Sequence, residues 1–166
     1  TNDGGTSYGN ELSFTTSASE TTTWDGSESN DWHNSANWSA GVPASTTDVS
    51  IPAGLTNYPT LLAAGTCKDI SLGSSATSTA TLLDNGNLTV MGTASVQRYF
   101  SGNTTDWHLV SSPITAATAN VFFDMYLQQF DPTPVFSVTA PTELVWYTDI
   151  SSPSTQLTRM EGYGLY

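Results

Sequence analysis

Fifteen carboxylates, two histidines and five tryptophans carry whatever chemistry this chain performs. A hydrolytic triad needs Ser, His and Asp to converge. His33 lies in a turn-rich stretch and His108 on a strand-like one beside Trp107, and no G-x-S-x-G elbow surrounds any serine. A structural role is the default for both rings. Glycoside hydrolysis needs two carboxylates facing each other across a cleft. Here Asp25, Asp84 and Asp131 stand among turn residues, where Asp hydrogen-bonds its own backbone. The three cations, Lys68, Arg98 and Arg159, are scattered, so a lyase base is not in view. No catalytic residue is assigned, and the chain is expected not to be an enzyme.

Two kinds of binding chemistry remain. The loop Asp25-Gly26-Ser27-Glu28-Ser29-Asn30-Asp31 is rich in oxygen, and Asp25, Glu28 and Asp31 are its candidate calcium ligands. It lacks the regular D-x-D-x-D-G spacing of a calcium loop, so a plain Asx-turn loop competes with that reading. No other cofactor is expected. Sugar binding needs exposed aromatic rings with polar neighbours. Trp32, Trp107 and Trp146 are the candidates. Trp24, Trp32 and Trp38 crowd into one short segment, which makes them candidates for a packed structural cap as well.

Composition narrows the class. A net charge of −12 leaves nothing to neutralise phosphates, which argues against nucleic acid and anionic membrane surfaces. No apolar run is long enough for membrane insertion as a helix. Charged residues make up only 11% of the chain, with Ser, Thr, Asn and Gly in their place. The β-branched and aromatic content is too high for disorder. This balance predicts a secreted or cell-surface all-β protein. Cys67 is alone, so there is no disulfide framework, and a buried inert thiol is expected.

The elements that would position these residues read mainly as strands. Asp48-Val49-Ser50-Ile51, Asp69-Ile70-Ser71-Leu72 and Asn87-Leu88-Thr89-Val90 repeat one pattern: Asp or Asn, aliphatic, hydroxyl, aliphatic. A period of about 20 residues points to a short β-solenoid, with Gly54, Gly73 and Gly86 at corners. The competing reading is a β-sandwich, in which Asn85-Gly86 makes a hairpin turn. The one helix candidate is 116–130, where Val121, Phe122, Met125 and Phe130 share a helical face. Strands are expected over 106–113, 143–147 and 160–166, forming a second β-sandwich-like region. The sequons at Asn37, Asn87 and Asn103 carry little weight.

Three segments resemble known families. GTSYGNELSFTT, within residues 1–16, resembles the last hairpin and final strand of a fibronectin type III-like module of bacterial surface proteins. Trp24, Gly26, Trp32, Asn37-Trp38, Gly41, Pro43 and Asp48 to Ile51 resemble the opening of bacterial extracellular parallel β-helix domains. Such openings occur in autotransporter passengers and large surface proteins of the Bacteroidota. Asp106-Trp107-His108-Leu109-Val110-Ser111-Ser112-Pro113 resembles a motif of Bacteroidota cargo of the type IX secretion system.

These resemblances imply a terminal fibronectin III-like strand at 1–16, a linker at 17–23, a Trp-capped solenoid-like region at 24–98 and an incomplete sandwich-like region at 99–166. In the β-helix family the opening segment caps the helix, so at least two of the three tryptophans are expected to be buried against the first rung. The chain is expected to begin in one domain and end in another. The implied function is a non-enzymatic structural or adhesive segment of a surface or filament-forming protein, assembled by donation of the 1–16 strand. Its partners would be other copies of itself or neighbouring surface-protein domains. The alternative is a carbohydrate-binding accessory region of a secreted polysaccharide-degrading enzyme, with polysaccharide as partner.

Overall fold

The computed structural model describes residues 20–102, 106–122, 125–130 and 147–166. The fold is all-β, a β-solenoid of about three turns followed by an antiparallel sheet. The final strand expected within 1–16 and most of the strand expected over 143–147 lie outside the described residues.

The solenoid has three faces. On the first, β1 (Glu20–Thr23), β2 (Thr47–Ile51), β4 (Ile70–Leu72) and β6 (Ala94–Val96) form a parallel sheet in that order. The second face is a ladder of single parallel bridges, Asp31 to Thr60 to Leu83. On the third, β3 (Gly65–Cys67) pairs in parallel with β5 (Leu88–Val90). Each pass around the faces stacks one short strand on its equivalent in the turn before.

Alternation explains why these short strands hold. In β2, Thr47, Val49 and Ile51 point inward and are buried, while Asp48 and Ser50 are half-buried. Val49 stacks on Ile70 and Ile51 on Leu72, with Ser50 beside Ser71 between them. A slip of one residue would put every aliphatic on the wrong side. The interior gathers Val49, Ile51, Leu61, Cys67, Ile70 and Ala80, with Leu72, Leu88 and Val90 packed against them.

The first two copies of the repeat therefore stack as expected. The third does not. Leu88 pairs with Gly65 on the third face, whereas the strand over Ile70–Leu72 on the first face is Ala94–Val96. Asn85-Gly86 is a tight turn, with φ of 50° and 75° and the Asn87 N–H donating to the Asp84 carbonyl at 2.8 Å. It joins no hairpin. Leu83 before it bridges Thr60, and Leu88 after it pairs with Gly65. The turn is a solenoid corner.

Cys67 lies at the centre of this core with no exposed surface. Burial, then the Asp69 and Asp48 carboxylates, push its thiol from 9.0 to about 11. The folded state thus holds the proton more tightly than the unfolded chain does. The stability this provides is complete below about pH 9 and is lost as the pH rises to about 11, a change of about 2–3 kcal/mol. Denaturant titrations across that window should show the wild type losing this stability relative to Cys67→Ala. Parallel curves for the two proteins would refute the assignment.

Beyond the solenoid, β7 (His108–Val110), β10 (Tyr163–Leu165), β8 (Leu127–Phe130) and β9 (Tyr147–Asp149) form an antiparallel sheet in that order. Strands fall within 106–113 and 160–166 as expected, and the described residues give a single antiparallel layer there. The helix expected over 116–130 is corrected. Ala119–Phe122 is one 3-10 turn, and Leu127–Phe130 is a strand paired on both sides. Cross-strand hydrogen bonds on both edges of Leu127–Phe130 outweigh a local helical pattern that had no second turn to propagate.

Candidate functional site

The tryptophan segment is structural in geometry. Trp24 and Trp32 have no exposed surface, and Trp38 has almost none. Trp38 meets Trp24 edge-on at 4.9 Å and Trp32 edge-on at 4.8 Å. Such T-shaped contacts set the positive ring edge against the negative face. The three rings are built into the first turn rather than laid over it. The Trp24 N–H continues the first face by donating to the Ser50 carbonyl, and the Trp32 N–H donates to Thr60 on the second face. Trp24 Nε1 donates to the Asn57 carbonyl at 2.9 Å, and Trp38 Nε1 to the Trp32 carbonyl at 2.7 Å. Trp32 therefore offers no ring face to a sugar, which corrects its candidacy as a carbohydrate ligand.

Asn37, legible only as part of the motif, holds this segment together. Asn37 is completely buried, and its amide makes four hydrogen bonds. Oδ1 accepts from the Glu28 and Ser29 N–H groups at 3.0 and 2.9 Å. Nδ2 donates to Ser29 Oγ and the Asp31 carbonyl, both at 3.0 Å. Its sequon is therefore closed to modification in the folded chain. Nearby, Gly26 holds φ at +59°, and a Cβ there would collide with the Asn57 carbonyl.

The oxygen-rich loop uses its carboxylates on its own backbone. Asp25 Oδ1 accepts from the Ser27 N–H and Asp31 Oδ1 from the His33 N–H, both at 2.9 Å. These are Asx turns. Asp25, Glu28 and Asp31 do not converge; among the described residues no group of three His, Cys, Asp or Glu side chains is placed to hold a metal. His33 Nε2 lies 3.1 Å from the Ala64 carbonyl, and the His108 ring packs on Phe100.

The antiparallel sheet carries the other candidate. One face is core: Leu127, Tyr163 and Leu165 are buried there with Ala119 and Leu157. Parity assigns the opposite face. Leu109, Gly164, Gln128 and Asp149 are directly opposed across the four strands. Alongside runs an aromatic row. Tyr126 and Tyr166 exchange both backbone hydrogen bonds at 2.9 Å, and Trp107 flanks Tyr166 on the next strand. The Trp107 ring lies 5.2 Å from that of Tyr166, tilted by 38°, and 6.1 Å from that of Tyr126, nearly edge-on.

Gly164 makes room for this row. A Cβ at that position would press within 3.2 Å of the Trp107 ring. The row remains open to solvent: Trp107 is 53% exposed, and Leu109 beside it 90%. Soluble domains rarely leave a contiguous aromatic patch uncovered without a use for it.

The polar groups on this face are already ordered. Tyr126 Oη donates to Asp149 Oδ1 at 2.6 Å, and Gln128 Nε2 donates to the same oxygen at 2.7 Å. Gln128 Nε2 also reaches Tyr126 Oη at 3.0 Å. The Tyr126 bond, then that of Gln128, holds the Asp149 carboxyl below the usual carboxylate range, and the same Tyr126–Asp149 bond raises the tyrosine. Beside this trio a groove of about 220 Å³ opens between Met125 and Pro153. Trp107 was legible from the sequence, whereas Tyr126, Gln128, Asp149 and Tyr166 were not. The third sugar candidate, Trp146, lies outside the described residues. No protein-family model, curated protein or solved structure matches the chain.

Proposed function

We propose that this chain is a non-enzymatic structural and adhesive segment of an extracellular surface protein. The observation that carries the reading is the division of labour between its two β regions. In the solenoid the large aromatics are packed inside, and the loop carboxylates cap turns. That is the chemistry of a rigid spacer. On the antiparallel sheet an aromatic row faces solvent with an ordered polar trio beside it. That is the chemistry of contact. Assembly with other copies, through donation of the 1–16 strand, belongs to the same proposal; its partners are those copies or neighbouring surface-protein domains.

Incubated with insoluble polysaccharides, the purified chain should release no reducing ends. A fraction should remain with the solid or with other copies of itself. Steady release of reducing ends would contradict the non-enzymatic reading, and absence of both kinds of association would contradict the adhesive one. Deleting residues 1–16 should abolish any polymer seen by electron microscopy, and unchanged polymers would rule strand donation out.

The exposed Trp107 row also favours a second reading, a carbohydrate-binding accessory region of a polysaccharide-degrading enzyme. The two differ in what the rest of the polypeptide does, and both use the same face.

A further inference from the structure

We infer that the exposed face of the antiparallel sheet is a binding site for a neutral pyranose polysaccharide, with Trp107 and Tyr166 as the stacking platform and Asp149, Tyr126 and Gln128 as the hydroxyl-recognising group. The inference rests on the adhesive reading above and names its ligand.

The platform follows from ring geometry. Trp107 and Tyr166 are tilted by 38° with centroids 5.2 Å apart, and at 53% and 44% exposure each still offers part of its ring to solvent. A pyranose whose axial positions carry only hydrogen has an apolar face that fits against such rings. Burying it against the rings is the hydrophobic part of binding, while its equatorial hydroxyls project sideways. Aromatic and polar groups must therefore lie side by side on one surface. Here they do, because Tyr126 belongs to both sets: its ring closes the row, and its hydroxyl belongs to the trio.

The polar group is preorganised. Tyr126 and Gln128 both donate to Asp149 Oδ1, which leaves Oδ2 without a partner among the described residues. A fixed carboxylate oxygen accepts a charge-assisted hydrogen bond from a sugar hydroxyl without an ordering cost at the moment of binding.

Charge selects the occupant. The chain carries −12, and Asp149 on this face is itself an anion. Uronate-rich glycans, sulfated glycans, nucleic acid and anionic lipid are repelled. Two copies meeting through this face would oppose their Asp149 carboxylates, which disfavours a second copy as its occupant. A neutral glycan pays no such penalty, and its hydroxyls match the donors and acceptor displayed.

The test is titration calorimetry of the whole chain with cellohexaose, laminarihexaose, xylohexaose and mannohexaose, with polygalacturonate as the anionic comparison. At least one neutral hexaose should bind. Trp107→Ala should weaken that binding about tenfold or more. Tyr126→Phe and Asp149→Asn, which leave the sheet intact, should weaken it several-fold, and Leu62→Ser on the solenoid should leave it unchanged. Because Tyr126→Phe removes a hydroxyl and Asp149→Asn removes only the charge, neither touches the packing, and they decide the matter even if Trp107→Ala misfolds.

Binding that survives all three face variants would overturn this site while leaving the adhesive reading standing. Binding of polygalacturonate alone would overturn the ligand class. Self-association lost in Trp107→Ala, without binding of any hexaose, would overturn the inference by showing the face to be a protein contact. Absence of binding to any probe and to itself would overturn both the inference and the adhesive reading.

Discussion

Trp32→Ala should destabilise the chain by about 3–5 kcal/mol, the cost of removing a fully buried aromatic without collapse of the site. That approaches the whole stability of an ordinary domain. The ring has no exposed surface, packs edge-on against Trp38 and lies against Gly65. Its loss leaves the Trp38 ring with Trp24 on one side only and opens a cavity in the first turn. Far-UV circular dichroism during urea denaturation would register the loss directly. Trp107→Ala is the internal comparison. That ring is half exposed, so its removal should cost about 1 kcal/mol or less, the worth of cross-strand side-chain contacts. Equal losses for the two tryptophans would contradict the separation of a structural cluster from a displayed one.

The second large effect is expected at Asn37. Replacing it with alanine orphans the Glu28 and Ser29 N–H groups and strips the Asp31 carbonyl of a donor. A group left unpaired away from water costs about 1–3 kcal/mol, and since these are only partly buried, Asn37→Ala should cost about 2 kcal/mol or more. Asn37→Asp separates the two halves of the amide. Its carboxylate keeps both N–H partners but turns an acceptor toward the Asp31 carbonyl, where Nδ2 had donated.

Burial beside that carbonyl favours the protonated form, which can donate. The folded state of Asn37→Asp should therefore hold its proton more tightly than the unfolded chain. The variant's stability relative to Asn37→Ala is then greatest at acid pH and falls as the pH rises toward neutrality. Thermal melts of the two variants at matched pH would show the gap narrowing with rising pH. A gap that widens instead would mean that the Glu28 and Ser29 N–H groups, which favour the ionised carboxylate, outweigh the Asp31 carbonyl.

Both positions show what was legible in the sequence. The tryptophan spacing and the paired motifs Val49-Ser50-Ile51 and Ile70-Ser71-Leu72 pointed to a solenoid, because period-two alternation repeated along the chain demands stacking. The same alternation is blind to which face a strand occupies. Leu88-Thr89-Val90 matched the motif and stacks on Gly65–Cys67, while the weaker Ala94-Ser95-Val96 took the place over Ile70. Corner geometry decides this, and corners leave little pattern.

The aromatic face was hidden by a different conflict. Val121, Phe122, Met125 and Phe130 fit a helical period, which drew attention from the alternation Tyr126-Leu127-Gln128-Gln129-Phe130. Read with period two, Tyr126, Gln128 and Phe130 fall on one face and Leu127 on the other. Pairing with Tyr163–Leu165 makes that the arrangement present. Asp149 and Tyr166 join the site only through register, which no single strand announces. Asn37 was legible as part of a motif, but its four hydrogen bonds depend on how the loop at 28–31 folds around it.

The most direct measurement compares wild-type chain and Trp107→Ala, each coupled to beads, for retention on an insoluble neutral polysaccharide under flow, with melting temperatures taken in parallel. The account predicts firm retention of the wild type, loss of retention in the variant and nearly equal melting temperatures. Equal retention of two equally folded proteins would contradict it.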